Sequence, residues 1–288
     1  MKRTGKIPGA LEVVLREAAL SDAEARMLVA SYYMSQDMRK RMDMQIRHLG
    51  DRVAAGKDVG RSSQILEFTA DQFATIEDGM RKAIQRYAEG SKVGRWLLSQ
   101  IGIGPVIAGG LLAHLDIRVA ETAGHFWTFA GLNPNKRSWG KGEKRPYNAQ
   151  LKQICWHLGN SFQKTCNHKE SVYGPLYKIR KEKLIEDNEE LKFSERAKIF
   201  VTKSADVRKM LATGRLPLGN LDQQARNYAA KILLSHLHAV MYWNYYNRIP
   251  PRPFAIAILG HAHEIKVPGT EEEFPGFARA YYGAVPAE

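Results

Sequence analysis

Ser138 stands between Arg137 and Trp139, in a stretch where Lys136, Arg137, Lys141, Lys144, Arg145 and Lys152 face a single acid, Glu143. A serine hydroxyl in such a field is set to attack a phosphodiester, while the cations steady the pentavalent phosphate that forms. Gly140 and Gly142 loosen the backbone here, and Phe126, Trp127 and Phe129 lie just upstream. A basic loop on an aromatic platform suits the tracking of a phosphate backbone. Deprotonation of the serine is the missing part, because Glu143 is the one carboxylate near it in sequence.

A second phosphate-binding signal precedes this loop. Trp96 to Leu112 reads WLLSQIGIGPVIAGGLL, an apolar helix end, a hairpin of apolar-Gly-apolar-Gly form, and a second helix opening at Pro105. Gly102 and Gly104 permit the sharp turn and leave room for a phosphate to approach. Amides at the start of the second helix, Val106 among them, would hold one phosphate oxygen at the positive end of the helix dipole. Ile101 and Ile103 would anchor the hairpin in the core. Such contacts position a duplex without reading its sequence. The competing reading is a packing corner with no ligand.

The remaining chemistry-bearing residues carry less. His236 and His238 fall on one predicted helix, and His261 and His263 on a predicted strand over 254–266. A spacing of two on a helix turns side chains roughly 200° apart, so the first pair does not face one ion, whereas strand neighbours at that spacing share a face. A polar packing network is the favoured reading, and no metal or other cofactor is expected. Trp156, Tyr242, Trp243, Tyr245 and Tyr246 are expected to pack in the core or between helices. Cys155 and Cys166 are expected to be ordinary thiols.

These residues must be positioned by a chain of 288 residues with 44% hydrophobic content, enough to bury a sizeable core in one large domain or two. Net charge is +13, divided as +4 over residues 1–100, +9 over 101–220 and zero over 221–288. The excess thus sits with the motifs, as expected if one face meets a polyanion. No apolar run approaches the ~18 residues of a membrane span, no signal peptide is evident, and two cysteines exclude a disulfide scaffold. A cytoplasmic protein without membrane contact is expected.

The pattern is mainly helical. Ser21-Asp22-Ala23-Glu24 reads as a capping box. Leu28, Tyr32, Ser35, Met38, Met42, Ile46 and Leu49 then recur at helical spacing up to Gly50, and Phe73, Ile76, Met80, Ile84 and Tyr87 form a second stripe. Residues 1–90 are therefore read as a coiled-coil-like helical pair, through which the chain could form a homo-oligomer. Residues 91–250 are read as a helix-hairpin-helix domain with a charged helical insertion at about 184–223. Its last element is a capping helix that starts after Pro217 and stops before Pro250-Pro251. Residues 251–288 are read as a Pro-rich, extended and loosely attached tail.

Residues about 90–165 resemble the C-terminal domain of the insertion-sequence transposases of the one-ten family, DEDD-plus-serine recombinases guided by a bridge RNA. The resemblance is carried by IGIGPVIAGGLLAHL, by HFWTFAGLNP, by a serine four residues beyond that proline, and by the basic stretch and helix that follow. It is weaker through Tyr173–Lys183 and 224–241. It implies that Ser138 matches the family's nucleophile. The chain departs from the family in two places. Its N-terminal hundred residues read as helices, with no strand for the acid quartet of a ribonuclease-H-like domain, and Trp139 follows the serine where a small residue is usual. The leading expectation is a DNA-binding protein related to these transposases, accessory or stand-alone, holding DNA through Gly102, Gly104, Val106, Lys136, Arg137, Lys141, Lys144, Arg145 and Lys152. Two alternatives are a serine recombinase acting through Ser138 and a module that binds structured RNA. The isolated chain is expected to bind DNA without nicking or covalently capturing it, with or without magnesium. Ser138→Ala should shift affinity by less than about 1 kcal/mol, the size of one ordinary hydrogen bond. An adduct that survives denaturant and vanishes in Ser138→Ala would promote the recombinase reading instead.

Overall fold

A computed structural model describes residues 20–133, 140–251 and 265–283. The fold is mainly α. Among the described residues the helices are α1 (Asp22–Ala54), α2 (Ser62–Glu89), α3 (Lys92–Ser99), α4 (Pro105–His114), α5 (Ala123–Phe129), α6 (Ala149–Lys164), α7 (Tyr173–Glu189), α8 (Ser194–Lys198), α9 (Ala205–Ala212), α10 (Leu218–Tyr246) and α11 (Phe277–Tyr282), with a 3-10 turn at Ile117–Val119. No strand occurs among them. The strand read over 254–266 falls almost wholly outside the described residues, as do His261 and His263. The chain divides into two compact units, one within Met1–Arg95 and Gly104–His114, the other within Trp96–Ile103 and Leu115–Glu288.

In the first unit, α1 and α2 run antiparallel, with α4 packed against both. The capping box at Ser21 is formed: its hydroxyl accepts from the Glu24 amide, and Glu24 accepts from the Ser21 amide at 2.8 Å. Two cross-links set the register. Tyr87 donates to Asp22 at 2.6 Å, and Arg39 holds Glu77 through two bonds of 2.6 and 3.1 Å. Where α4 meets α2 there is no room for a side chain, since a Cβ on Gly109 would lie 2.3 Å from Ile84. Gly50 does not stop α1, which runs on to Ala54. Nor is the α2 stripe fully covered. Ile84 is buried, but Phe73, Ile76, Met80 and Tyr87 are half-buried, and the other buried positions are Ala70, Thr75, Glu77, Gly79, Ala83 and Ala88. Small residues let the two helices approach, and α4 leaves part of the hairpin's apolar flank uncovered. Met38, Met44, Ile65 and Phe68 remain exposed.

In the second unit α10 packs against α5, α6, α7 and the 3-10 turn. It is central rather than capping: every residue from Leu233 to Val240 is buried. A helix stretch with no wet face belongs inside, and the polar side chains between Leu233 and Val240 each find a hydrogen-bond partner. His236 Nε2–H donates to the Ile265 carbonyl at 2.9 Å, which leaves Nδ1 to accept from the Tyr173 hydroxyl at 2.9 Å. His238 donates from Nε2 to the Ala120 carbonyl at 2.9 Å. Asp222 accepts from Tyr177 at 2.5 Å, lies 2.8 Å from the Lys181 ammonium and also pairs with Arg226, so α7 is locked to the start of α10.

The charged segment that includes α7 also contributes to the core. It buries Leu184 and Asn188, and the Asn188 amide both donates to and accepts from the backbone of Leu216, at 3.1 and 2.8 Å. Residues 265–283 are likewise anchored. Trp96 donates to the Pro268 carbonyl at 2.8 Å, and Phe277 is fully buried between Tyr281 and Trp243. Trp156, Tyr245 and Tyr246, expected to pack in the core or between helices, are exposed. Cys155 is buried, with its thiol pushed up to about 12, while Cys166 is half-buried; neither forms a disulfide.

Burial pulls His236 down to about 4 and also lowers His238. Below the ordinary histidine value near 6.5, the unfolded chain therefore takes up protons that the fold refuses. Stability should fall as pH drops from about 6.5 towards 4, each pH step in that window removing up to about 1.4 kcal/mol per buried histidine. Urea denaturation at pH 7, 6 and 5 checks this, and His236→Asn should flatten the dependence. A midpoint that does not move with pH would contradict the bonding described.

Candidate nucleic-acid interface

The hairpin begins in the second unit. Gly102 has φ +94°, the left-handed region that a side chain resists, and a Cβ there would lie 3.1 Å from Thr165 Oγ1 and 3.3 Å from the Phe162 ring. Its carbonyl accepts from the Ser161 hydroxyl, so this half of the turn is fastened to the end of α6. Ile103 is buried and Ile101 half-buried, so the anchoring falls on Ile103. Gly102 is thus a fold residue, and the turn's conformational demand rests on it alone.

Gly104 opens onto the first unit and differs in kind. Its φ lies outside the left-handed region, it is exposed, and a Cβ there would meet nothing within 4 Å. It precedes Pro105, the first residue of α4, and the first intrahelical bond runs from the Ala108 amide to the Gly104 carbonyl at 3.0 Å. The amides of Val106 and Ile107 head the helix, and glycine supplies no side chain to cap them. An anion approaching along Gly104 would meet two N–H groups at a positive helix end. The Val106 side chain is buried, so its contribution is the backbone amide.

The basic segment belongs to the second unit. Ser138, Lys136, Arg137 and Trp139 lie outside the described residues. Lys141, Lys144, Arg145 and Lys152 are all exposed. Glu143 is taken up locally, its carboxylate accepting from the Gly140 amide at 2.9 Å. Two of these cations lie against Tyr147. Lys152 Nζ lies 4.4 Å from its ring centre and the Arg145 guanidinium 5.7 Å, distances at which cations are drawn to an aromatic face. The ring sits against the Gly131 backbone, where a Cβ would come within 2.8 Å of it. Asn148 then caps α6 by accepting from the Leu151 amide at 3.0 Å, and its own amide donates to the Phe129 carbonyl at 2.9 Å. The segment is therefore pinned at its helical end, with Tyr147 as a fixed platform.

Two members of this surface were missed by sequence reasoning. Tyr147 and Trp156 belong with Lys152, and the signal was present: Leu151, Ile154, Cys155, Leu158 and Phe162 are the buried line of α6, leaving positions 152 and 156, one turn apart, outside it. The sequence-predicted residues fall in both units. Lys141, Lys144, Arg145, Lys152 and Gly102 belong to one unit, and Gly104 and Val106 to the other. Among the described residues no group of three or more His, Cys, Asp or Glu is arranged to hold a metal ion, and both ring nitrogens of His236 are already bonded. No described helix is long and apolar enough to cross a membrane. No protein-family model, curated protein or solved structure matches the chain.

Gly104→Val should fold normally, since nothing obstructs the new side chain, yet it would block an anion from the α4 amides. Losing a charge-assisted bond of ~1.5–3 kcal/mol predicts a drop in duplex affinity of about tenfold or more, with little change in melting temperature. Equal affinity in a folded Gly104→Val protein would leave the hairpin a packing corner.

Proposed function

We propose that this chain is a DNA-binding protein related to the insertion-sequence transposases, gripping duplex DNA by its backbone phosphates and acting as an accessory or stand-alone component of DNA recombination. The observation that carries the reading is the contrast between two sets of lysines. Four on and after α7 are paired with carboxylates: Lys181 with Asp222, Lys183 with Glu186 and Asp187, Lys192 with Asp187 and Glu190, and Lys198 with Glu195. Lys141, Lys144 and Lys152 have no carboxylate partner among the described residues. Exposed lysines without a paired acid, one of them against an aromatic ring, are suited to a polyanion. The α4 amides add a sequence-independent contact of the same chemical type.

Strand transfer through Ser138 is the weaker reading. The described part of the first hundred residues is helical, and Glu143, the nearest carboxylate in sequence, is held by the Gly140 amide. A cytoplasmic setting fits the two unbridged cysteines, and self-association through α1 and α2 fits the exposed Met44, Ile65 and Phe68.

Duplex binding should weaken steeply with salt. For about five neutralised phosphates, log K should fall against log salt with a slope of roughly −4 to −5, and Lys141→Ala with Arg145→Ala should reduce that slope by about two. Fluorescence anisotropy between about 50 and 200 mM salt, concentrations of the usual working order, reads both. A flat response would remove the nucleic-acid reading, and stronger competition by structured RNA than by duplex would move it to RNA.

A further inference from the structure

One pair of cations in the second unit takes no part in the segment just described. Lys231, on α10, is half-buried. Its ammonium lies 5.4 Å from the Trp127 ring centre, and its carbonyl accepts from Trp127 Nε1 at 3.0 Å and from the Ser235 hydroxyl at 3.0 Å. The indole is therefore fixed beneath the lysine. One helical turn earlier, Tyr228 carries the Arg180 guanidinium from α7, 5.5 Å from its ring centre.

The two cations sense each other. Burial first, and the Arg180 charge second, hold the Lys231 ammonium below the ordinary lysine range. Asp222, on the same helix, is spent on Lys181 and Arg226. Among the described residues neither Arg180 nor Lys231 has a carboxylate or any hydrogen-bond acceptor for its charged group. A half-buried ammonium beside a second cation is unfavourable in the fold taken alone. The cost is relieved when an anion with several oxygens bridges the pair. Guanidinium and ammonium together suit a phosphate, the first as a planar fork and the second as a point charge.

We propose that Arg180 and Lys231, backed by Tyr228 and Trp127, form a phosphate-binding site that takes a backbone phosphate of the bound DNA, as a contact additional to residues 141–152. The identity of the phosphate's source rests on the DNA-binding reading; the site itself does not. Trp127 and Tyr228 fix the two cations, so the site is held ready before the phosphate arrives.

The test uses the full chain with two probes, inorganic pyrophosphate by titration calorimetry and a duplex by anisotropy, against Arg180→Gln and Lys231→Met. Arg180 is exposed, so its variant decides the matter if Lys231→Met fails to fold. The expected result is pyrophosphate binding that weakens at least about tenfold in each variant, the scale of one lost charge-assisted bond. The double variant should also lower the duplex salt slope by about one, as for one phosphate. Absence of pyrophosphate binding, or binding unaffected by both variants, overturns the site whatever the duplex does. If pyrophosphate binding is lost in the variants while a bound duplex is held as tightly as before, the proposed source is overturned and the site takes a free phosphorylated molecule. If the unaltered chain binds pyrophosphate here but no duplex, the DNA reading fails and the phosphate site stands.

Discussion

From Leu233 to Val240 the helix α10 has no face turned to water. That stretch carries a serine and two histidines, and each must find a partner because a buried polar group left unmade costs ~1–3 kcal/mol. Their solutions tie the second unit together. Ser235 returns to its own helix, His236 joins the Tyr173 hydroxyl to the Ile265 carbonyl, and His238 takes the Ala120 carbonyl. These bonds bring α7, the segment after residue 264 and the turn before α5 onto one helix. The same packing sets α6 against α10, and with it the turn that bears Lys152. The surface proposed to face phosphate is thus an indirect product of where neutral imidazoles can be satisfied.

Much of the architecture was legible in periodicity. The capping box at Ser21, the antiparallel helical pair, the start of α10 after Pro217 and its end before Pro250 all follow from residue type and spacing. The rest depended on depth, which periodicity does not report. A stripe read along Phe73, Ile76 and Met80 marks an apolar face, but these positions are only half-buried, and full burial falls on Ile84 and on smaller or polar neighbours such as Ala70, Thr75, Glu77, Gly79 and Ala83. Trp156 and Tyr245 are aromatic and helical, yet stand outside the buried face of their helices. Phe277 and Tyr281 lie in a segment whose composition looks loose, and they are core because Trp243 is waiting for them.

The candidate site was readable to a similar degree. Lys136 and Arg137 lie outside the described residues, and Val106 acts only through its amide, so the proposed DNA contacts that can be placed by their own side chains or open backbone are the two glycines and the cations from Lys141 to Lys152. The two glycines of the hairpin, alike in sequence, separate into different jobs. Gly102 meets a backbone demand and abuts α6, whereas Gly104 leaves space. A motif states which residues sit together; φ and free volume state what each is for. The pairing of lysines was equally invisible in sequence, because Lys181 and Asp222 are distant along the chain and meet only through the crossing of α7 and α10.

The two cysteines have a practical consequence. Cys155 is sealed inside α6, its thiolate suppressed by burial, so it will not compete for a thiol-reactive dye. Cys166 is half-buried and follows Thr165, whose hydroxyl lies beside Gly102 at the hairpin. The native chain therefore comes with one addressable labelling position next to the element that ought to feel a ligand. A fluorophore or spin label attached there would watch the hairpin without any engineered substitution.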